Sequence, residues 1–229
     1  LKNHLGIFIL ALLAVFHLWI QITGLKFTST SNTGWIIGVT PAIMAILGFI
    51  IFNEKIKLIS VLGITLAFAG LMLLVSKGVI QNIGIMSNKG DLLVLASAFT
   101  WSLYSIMNKK ISLDYSPFMT ILFLFLMMTV LIIPFTLNKE TINAIVHLST
   151  RGWIAIVFLG ILCSAIAYVL WAQALKELEA NKVDVFLYFE PFVTIFAAWL
   201  LLGEVIGLIT IISGIIITSG VVLVNKKKF

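Results

Sequence analysis

Residues 183–224 read VDVFLYFEPFVTIFAAWLLLGEVIGLITIISGIIITSGVVLV, and the way this stretch is interrupted decides the fold. Two apolar runs, near 183–202 and 205–224, are separated only by Gly203 and Glu204. Each is about as long as the roughly 20 residues a helix needs to cross ~30 Å of hydrocarbon. So short a break forces the two helices into a tight antiparallel hairpin. Asn53 and Glu54 do the same between runs near 34–52 and 58–75. Further runs lie near 5–25, 91–107, 117–137 and 153–175, so the chain is expected to be an all-α, polytopic transmembrane bundle of about eight helices. The longest connections, 76–90 and 138–152, read as loops, the second with an interfacial turn. Neither is long enough for a soluble domain.

Composition agrees. Of 229 residues 61% are hydrophobic and 10% charged, with a mean hydropathy of +1.17, an excess that must face lipid because no water-soluble domain could bury it. The net charge of +6 would suit nucleic acid, but the lysines fall between apolar runs and form no stripe or arm, so no nucleic-acid partner is expected. Lys2 and the apolar run to residue 16 imitate a signal peptide, yet no small-x-small cleavage site closes it, and the segment reads as a retained helix. With eight spans both termini share one side. Placing them in the cytoplasm puts Lys2, Lys55, Lys57, Lys109, Lys110, Lys176, Lys182, Lys226, Lys227 and Lys228 inside, and Lys26, Lys77, Lys89, Lys139 and Arg151 outside. That asymmetry satisfies the positive-inside rule and predicts a multi-pass cell-membrane protein with cytoplasmic termini.

A shift of 150 residues lines up two segments without a gap: Pro41 meets Pro191, Glu54 meets Glu204 and Gly70 meets Gly220. The copies divide the chain into residues 1–77, holding three helices, and 90–228, holding five. An odd unit of five helices places successive copies upside down, and inverted repeats are characteristic of secondary transporters. The first copy thus lacks its front pair, and the chain, opening on Leu1, is expected to be a fragment of a ten-helix protein.

The segments TPAIMAILGFIIFNEKIKLISVLGITLAFAGLMLL (40–74) and ALKELEANKVDVFLYFEPFVTIFAAWLLLGEVIGLITIISGIIITSGVVL (174–223) carry a resemblance. Their pattern is a proline early in one helix, a glutamate about thirteen residues later at the hairpin, then a glycine-bearing helix. It resembles the EamA domains of the drug/metabolite transporter superfamily. The resemblance implies two inverted five-helix halves around a central cavity that moves small metabolites, amino acids or drugs among them, by alternating access. Export is the expected direction, with proton coupling as an option. A non-transporting membrane scaffold or partner subunit is the competing class.

Glu190 is the first candidate for chemistry, because it falls about seven residues into the seventh span, roughly 10 Å deep at ~1.5 Å per residue. Pro191 has no N–H and frees the carbonyl of Leu187; Pro41 does the same to Ile37 in the other copy. Two helix breaks at equivalent positions point to a transport site, although prolines also kink helices for packing. Helical spacing gathers polar and aromatic residues onto single faces: His17, Gln21 and Gly24; Ser97, Trp101, Tyr104 and Asn108; Ser164, Tyr168 and Trp171; Glu190, Thr194 and Ala197. These faces are expected to line one substrate pocket, with bundle packing as the alternative for each aromatic and for His17. Glu54 and Glu204 open a following helix and read as caps, with a gating salt bridge as the alternative. The small residues Gly63, Ala67, Gly70, Gly207, Ser213, Gly214 and Gly220 suit close helix packing or a homodimer face.

Enzyme classes find no support. His4, His17 and His147 lie in different segments, Cys163 is alone in an apolar run, no GxxxxGK[ST] occurs, and the small residues from Gly160 to Ser164 are explained by helix packing. No metal or cofactor is expected; the partners are the lipid bilayer and a small-molecule substrate.

Overall fold

In hydrocarbon every backbone N–H and C=O must find a partner within the protein, and a helix meets that demand within one segment. The computed structural model describes residues 4–28, 30–76, 89–190, 192–193, 196, 199–200 and 207–225, and every element it forms there is helical. In chain order these are α1 (His4–Leu25), α2 (Thr30–Ile37), α3 (Thr40–Phe52), α4 (Leu58–Ser76), α5 (Lys89–Asp114), α6 (Pro117–Thr136) and α7 (Lys139–Val146). There follow α8 (Thr150–Phe158), a π-helical segment (Leu159–Ile166), α9 (Ala167–Glu177), α10 (Ala180–Asp184), a 3₁₀ segment (Val185–Phe189) and α11 (Leu208–Asn225). Among the described residues six stretches are long and apolar enough to cross a membrane, Thr150–Glu177 counting as one, and α3 is a shorter apolar helix. The seventh expected span is described only in part.

Three elements differ from the apolar runs. The run at 34–52 is two helices, α2 and α3, interrupted at Gly38 and Val39. α5 continues to Asp114, beyond the end of its apolar run, because its polar extension is held: Ser112 donates to Asn108 Oδ1 at 3.2 Å, and Lys109 Nζ donates to the carbonyl of Leu178 at 2.7 Å. The connection at 138–152 contains α7, whose first turn is capped by the Asn138 side chain accepting the Thr141 N–H at 2.9 Å.

The chain divides into two compact units, residues 1–17 with 104–178 and residues 18–103 with 179–229. In the first unit α6 packs against α9. Its long stretch from Thr150 through the π segment presents apolar side chains such as Trp153, Phe158 and Leu162 outward, as a lipid-facing helix does.

The second unit is organised by the crossing of α4 with α11. A Cβ added to Gly63 would lie 2.7 Å from the carbonyl oxygen of Gly220, and one added to Gly220 would lie 2.6 Å from the Ala67 nitrogen. At Gly70 it would meet Ile217 Cγ1 at 2.8 Å. The backbones therefore touch, which only small residues permit. Under the 150-residue shift Ala67 corresponds to Ile217 and Gly70 to Gly220, so the Gly70–Ile217 and Ala67–Gly220 contacts are one contact seen from both copies. As α4 advances from Gly63 to Gly70 its neighbours on α11 retreat from Val224 to Ile216. The last helices of the two copies are thus antiparallel, as upside-down insertion requires. Ile64, Ala67, Leu71, Ile217 and Val221 form a core here with Val185 and Tyr188.

The hairpin after α3 is equally specific. Asn53 takes a left-handed conformation at φ 53, which asparagine tolerates, and the Glu54 N–H returns to the Gly48 carbonyl at 3.2 Å. A Cβ at Gly48 would stand 2.6 Å from Glu54 Oε2, so the glycine leaves room for that carboxylate.

Candidate functional site

In the second unit each copy of the repeat breaks its α-helical run just ahead of the position of its proline. α2 ends at Ile37 and α3 resumes at Thr40, with Pro41 in its first turn. The Ile37 carbonyl accepts the Thr40 hydroxyl. In the other copy the Leu187 carbonyl accepts the Glu190 N–H, and the chain from Val185 to Phe189 tightens to 3₁₀ to allow it. A side chain joins the two breaks directly: the Tyr188 hydroxyl donates to the Gly38 carbonyl at 2.7 Å, and Tyr188 and Gly38 are themselves equivalent under the repeat. Glu190 follows the 3₁₀ segment and lies at the surface of the chain. Gln21 and Trp101, also in this unit, are half-buried. Pro191, Thr194 and Glu204 lie outside the described residues.

Glu54 spans between copies as well. Its carboxylate accepts the Ala180 N–H at the start of α10, with Oε1 at 3.1 Å and Oε2 at 3.0 Å. An anion at the first turn of a helix complements both the unpaired N–H groups and the helix dipole.

In the first unit the expected aromatic and polar faces of α5 and α9 meet. The rings of Tyr104 and Tyr168 lie 6.0 Å apart at 60°, and Phe125 adds a third ring 5.3 Å from Tyr168. Trp171 Nε1 donates to Ser105 Oγ at 3.2 Å, and Asn108 Nδ2 approaches the Tyr104 hydroxyl at 3.5 Å. Tyr104, Tyr168 and Trp171 combine apolar ring faces with one hydrogen-bonding group each, and Phe125 adds apolar surface alone. His17, in the same unit, is buried. The structure thus brings Tyr104, Tyr168 and Trp171 onto one polar-aromatic wall and places Glu190, Gln21 and Trp101 in the other unit.

The residues missed by sequence reasoning are Phe125, Ser105, Tyr188, Asn181 and Asp184. Phe125 and Ser105 were detectable, since Ser105 is one turn from Trp101 and Phe125 lies mid-span. Asp184 was hidden by position: it stands two residues after Lys182, where hydropathy reads a headgroup-level charge. It is instead completely buried.

The model of the EamA-like transporter family matches residues 1–76 and 88–226. The chain belongs to the EamA-like transporter family. Relatives of this EamA-like chain include the uncharacterized transporter YyaM of Bacillus subtilis (strain 168), 29% identical over 98% of this chain and 76% of its own length. An uncharacterized transporter of Archaeoglobus fulgidus is 31% identical over 91% of this chain and 71% of its own length. A solved crystal structure at 17% identity superposes with a TM-score of 0.78, covering 98% of this chain and 79% of the other, which supports the helical EamA-like fold. The protein is a multi-pass membrane transporter of this family.

Proposed function

We propose that this EamA-like protein moves small, partly apolar metabolites across the cell membrane by alternating access, in the outward direction, with both termini of this chain cytoplasmic. The observation that carries the proposal is the pair of helix breaks at repeat-equivalent positions, linked by the Tyr188–Gly38 hydrogen bond. A broken helix exposes backbone polar groups at membrane depth, which is tolerated where they face a cavity or are re-bonded, and two such breaks related by inversion allow one half to rock against the other. The aromatic wall of Tyr104, Tyr168 and Trp171 suits a substrate with a flat or apolar body, and Glu190 is the group we assign to a proton or to a cationic substrate group. Of the glycines that offered a homodimer face, Gly63, Gly70 and Gly220 are occupied at the α4–α11 crossing, Gly214 meets Phe192 and Gly207 has nothing within 4 Å; the proposal needs no second copy.

The test is flux in liposomes, with radiolabelled amino acids and a cationic dye as probes. Glu190→Gln keeps size and hydrogen bonding but removes the charge, so protein level should stay normal while flux falls and its pH dependence flattens. Unchanged flux with an unchanged pH profile sinks the role of Glu190; absence of flux of every probe in the wild type sinks transport of these classes. Topology is read from single cysteines at Lys110 and Lys182 in a Cys163→Ala background, which should resist an impermeant reagent applied outside intact cells.

A further inference from the structure

Asp184 and Asn181 occupy one face of α10, three residues apart, and both are almost wholly shielded, at 0% and 3% exposure. Both carboxylate oxygens of Asp184 and the side-chain oxygen of Asn181 are buried without a hydrogen-bond partner. Asp184 is flanked by the buried Val183 and Val185, the latter part of the apolar core. The contrast with Asp91, equally buried, is direct: the Thr28 hydroxyl donates to an Asp91 oxygen.

Acceptor oxygens gathered in an apolar setting are unstable while the carboxylate is ionised, because a buried carboxylate needs donors or a cation. Among the described residues, the elements packed on α10 bring none. α3 and α11, which pack against α10, carry no titratable side chain. On its own segment Lys182 is paired with Glu179 at 3.3 Å, Glu54 at the start of α10 is a second anion accepting the Ala180 N–H, and Tyr188 one turn on donates its hydroxyl to Gly38. One proton resolves the arrangement. A neutral Asp184 gains an O–H donor, and the unbonded Asn181 Oδ1 is a neighbouring acceptor that lacks one.

We propose that Asp184 and Asn181 form a proton-binding site: Asp184 holds a proton and donates it in a hydrogen bond to Asn181 Oδ1 while α10 is packed on α3. The step is Asp184–COOH giving Asp184–COO⁻ and H⁺ when α10 loosens and water supplies donors to the carboxylate. Because α10 runs directly into the 3₁₀ segment bearing Tyr188, loading and release of this proton bias the joined helix breaks. The site stands without the transport assignment; its part in coupling rests on it.

Infrared spectra of the reconstituted protein test the site independently of any substrate. At neutral pH the wild type should show a carboxylic-acid C=O band that Asp184→Asn, a near-isosteric mimic of the protonated form, removes while folding normally. Asn181→Ala should shift that band by deleting its acceptor, and Asp184→Glu should retain a displaced one, which covers failure of the first variant to fold. Identical spectra for wild type and Asp184→Asn overturn the site. A band that Asn181→Ala leaves in place overturns the pairing. The coupling role is read from amino-acid and dye flux: Asp184→Asn should keep exchange of probe across the membrane but lose acceleration by a pH gradient. Acceleration equal to wild type overturns coupling through Asp184, whereas absence of wild-type flux with the band present would sink the transport assignment and leave the site intact.

Discussion

At the break in the first copy of the repeat, α2 and α3 meet at Gly38 and Val39, and the groups present are backbone carbonyls, the Thr40 hydroxyl and Pro41. At the equivalent place in the second copy the shift of 150 puts Asp184 opposite Gly34, Tyr188 opposite Gly38 and Glu190 opposite Thr40. The backbone device is shared and the side-chain chemistry is not. One copy supplies carbonyl acceptors, glycines and the Thr40 hydroxyl, and the other supplies the Tyr188 hydroxyl, the carboxylates and the tighter 3₁₀ geometry. Inversion symmetry therefore sets how the halves are built, while the chemistry that could bind a proton or a substrate charge is concentrated in the second.

Substitutions at the α4–α11 crossing should break this comparison outright, since both copies depend on it. Gly70→Leu or Gly220→Leu forces apart backbones already in contact, at a cost of about 3 kcal/mol, the upper end for overpacking. Membrane levels and a monodisperse size-exclusion peak should both be lost; normal levels with altered substrate preference would contradict the assignment of these glycines to packing. Tyr188→Phe should have a smaller effect, about 1–2 kcal/mol, because it leaves the Gly38 carbonyl without its donor and unlinks the two breaks. Thermal unfolding in detergent measures it, and an unchanged midpoint would mean that the breaks are held by packing alone. Glu54→Gln should have the smallest effect, about 0.3–1 kcal/mol, since the amide oxygen still accepts the Ala180 N–H and only the charge at the start of α10 is lost. That loss should shrink at high salt to the extent that solvent reaches the residue; a cost as large as that of Tyr188→Phe would show that Glu54 does more than cap α10.

Most of the helical framework was legible because hydrocarbon imposes one length and one composition on a span, and α1, α4, α6 and α11 begin and end close to their apolar runs. The interruption at Gly38 was legible in part, through the missing N–H of Pro41. What hydropathy could not show is governed by partners distant in the chain. The polar end of α5 stays helical because Lys109 reaches Leu178, and nothing in LGILCSAI announces that residues 159–166 widen into a π-helix. On the candidate site, the aromatic face of Tyr104, Tyr168 and Trp171 followed from 3.6-residue spacing. Asp184 did not, because its burial depends on α3 and α11 closing over α10, and Glu54 meets Ala180 only through the tertiary fold.

The glycine contacts between α4 and α11 also set a schedule for biogenesis. Gly70 and Ile217 are separated by well over half the polypeptide, so at ~5–20 residues per second α4 waits roughly 7–30 s after its own synthesis before its partner has been made. During that interval its small-residue flank lacks the partner it meets in the folded protein. The closing of this unit is timed by the arrival of α11 at the membrane, which makes α11 the step at which a nascent chain either completes the crossing or presents an unfinished surface to quality control.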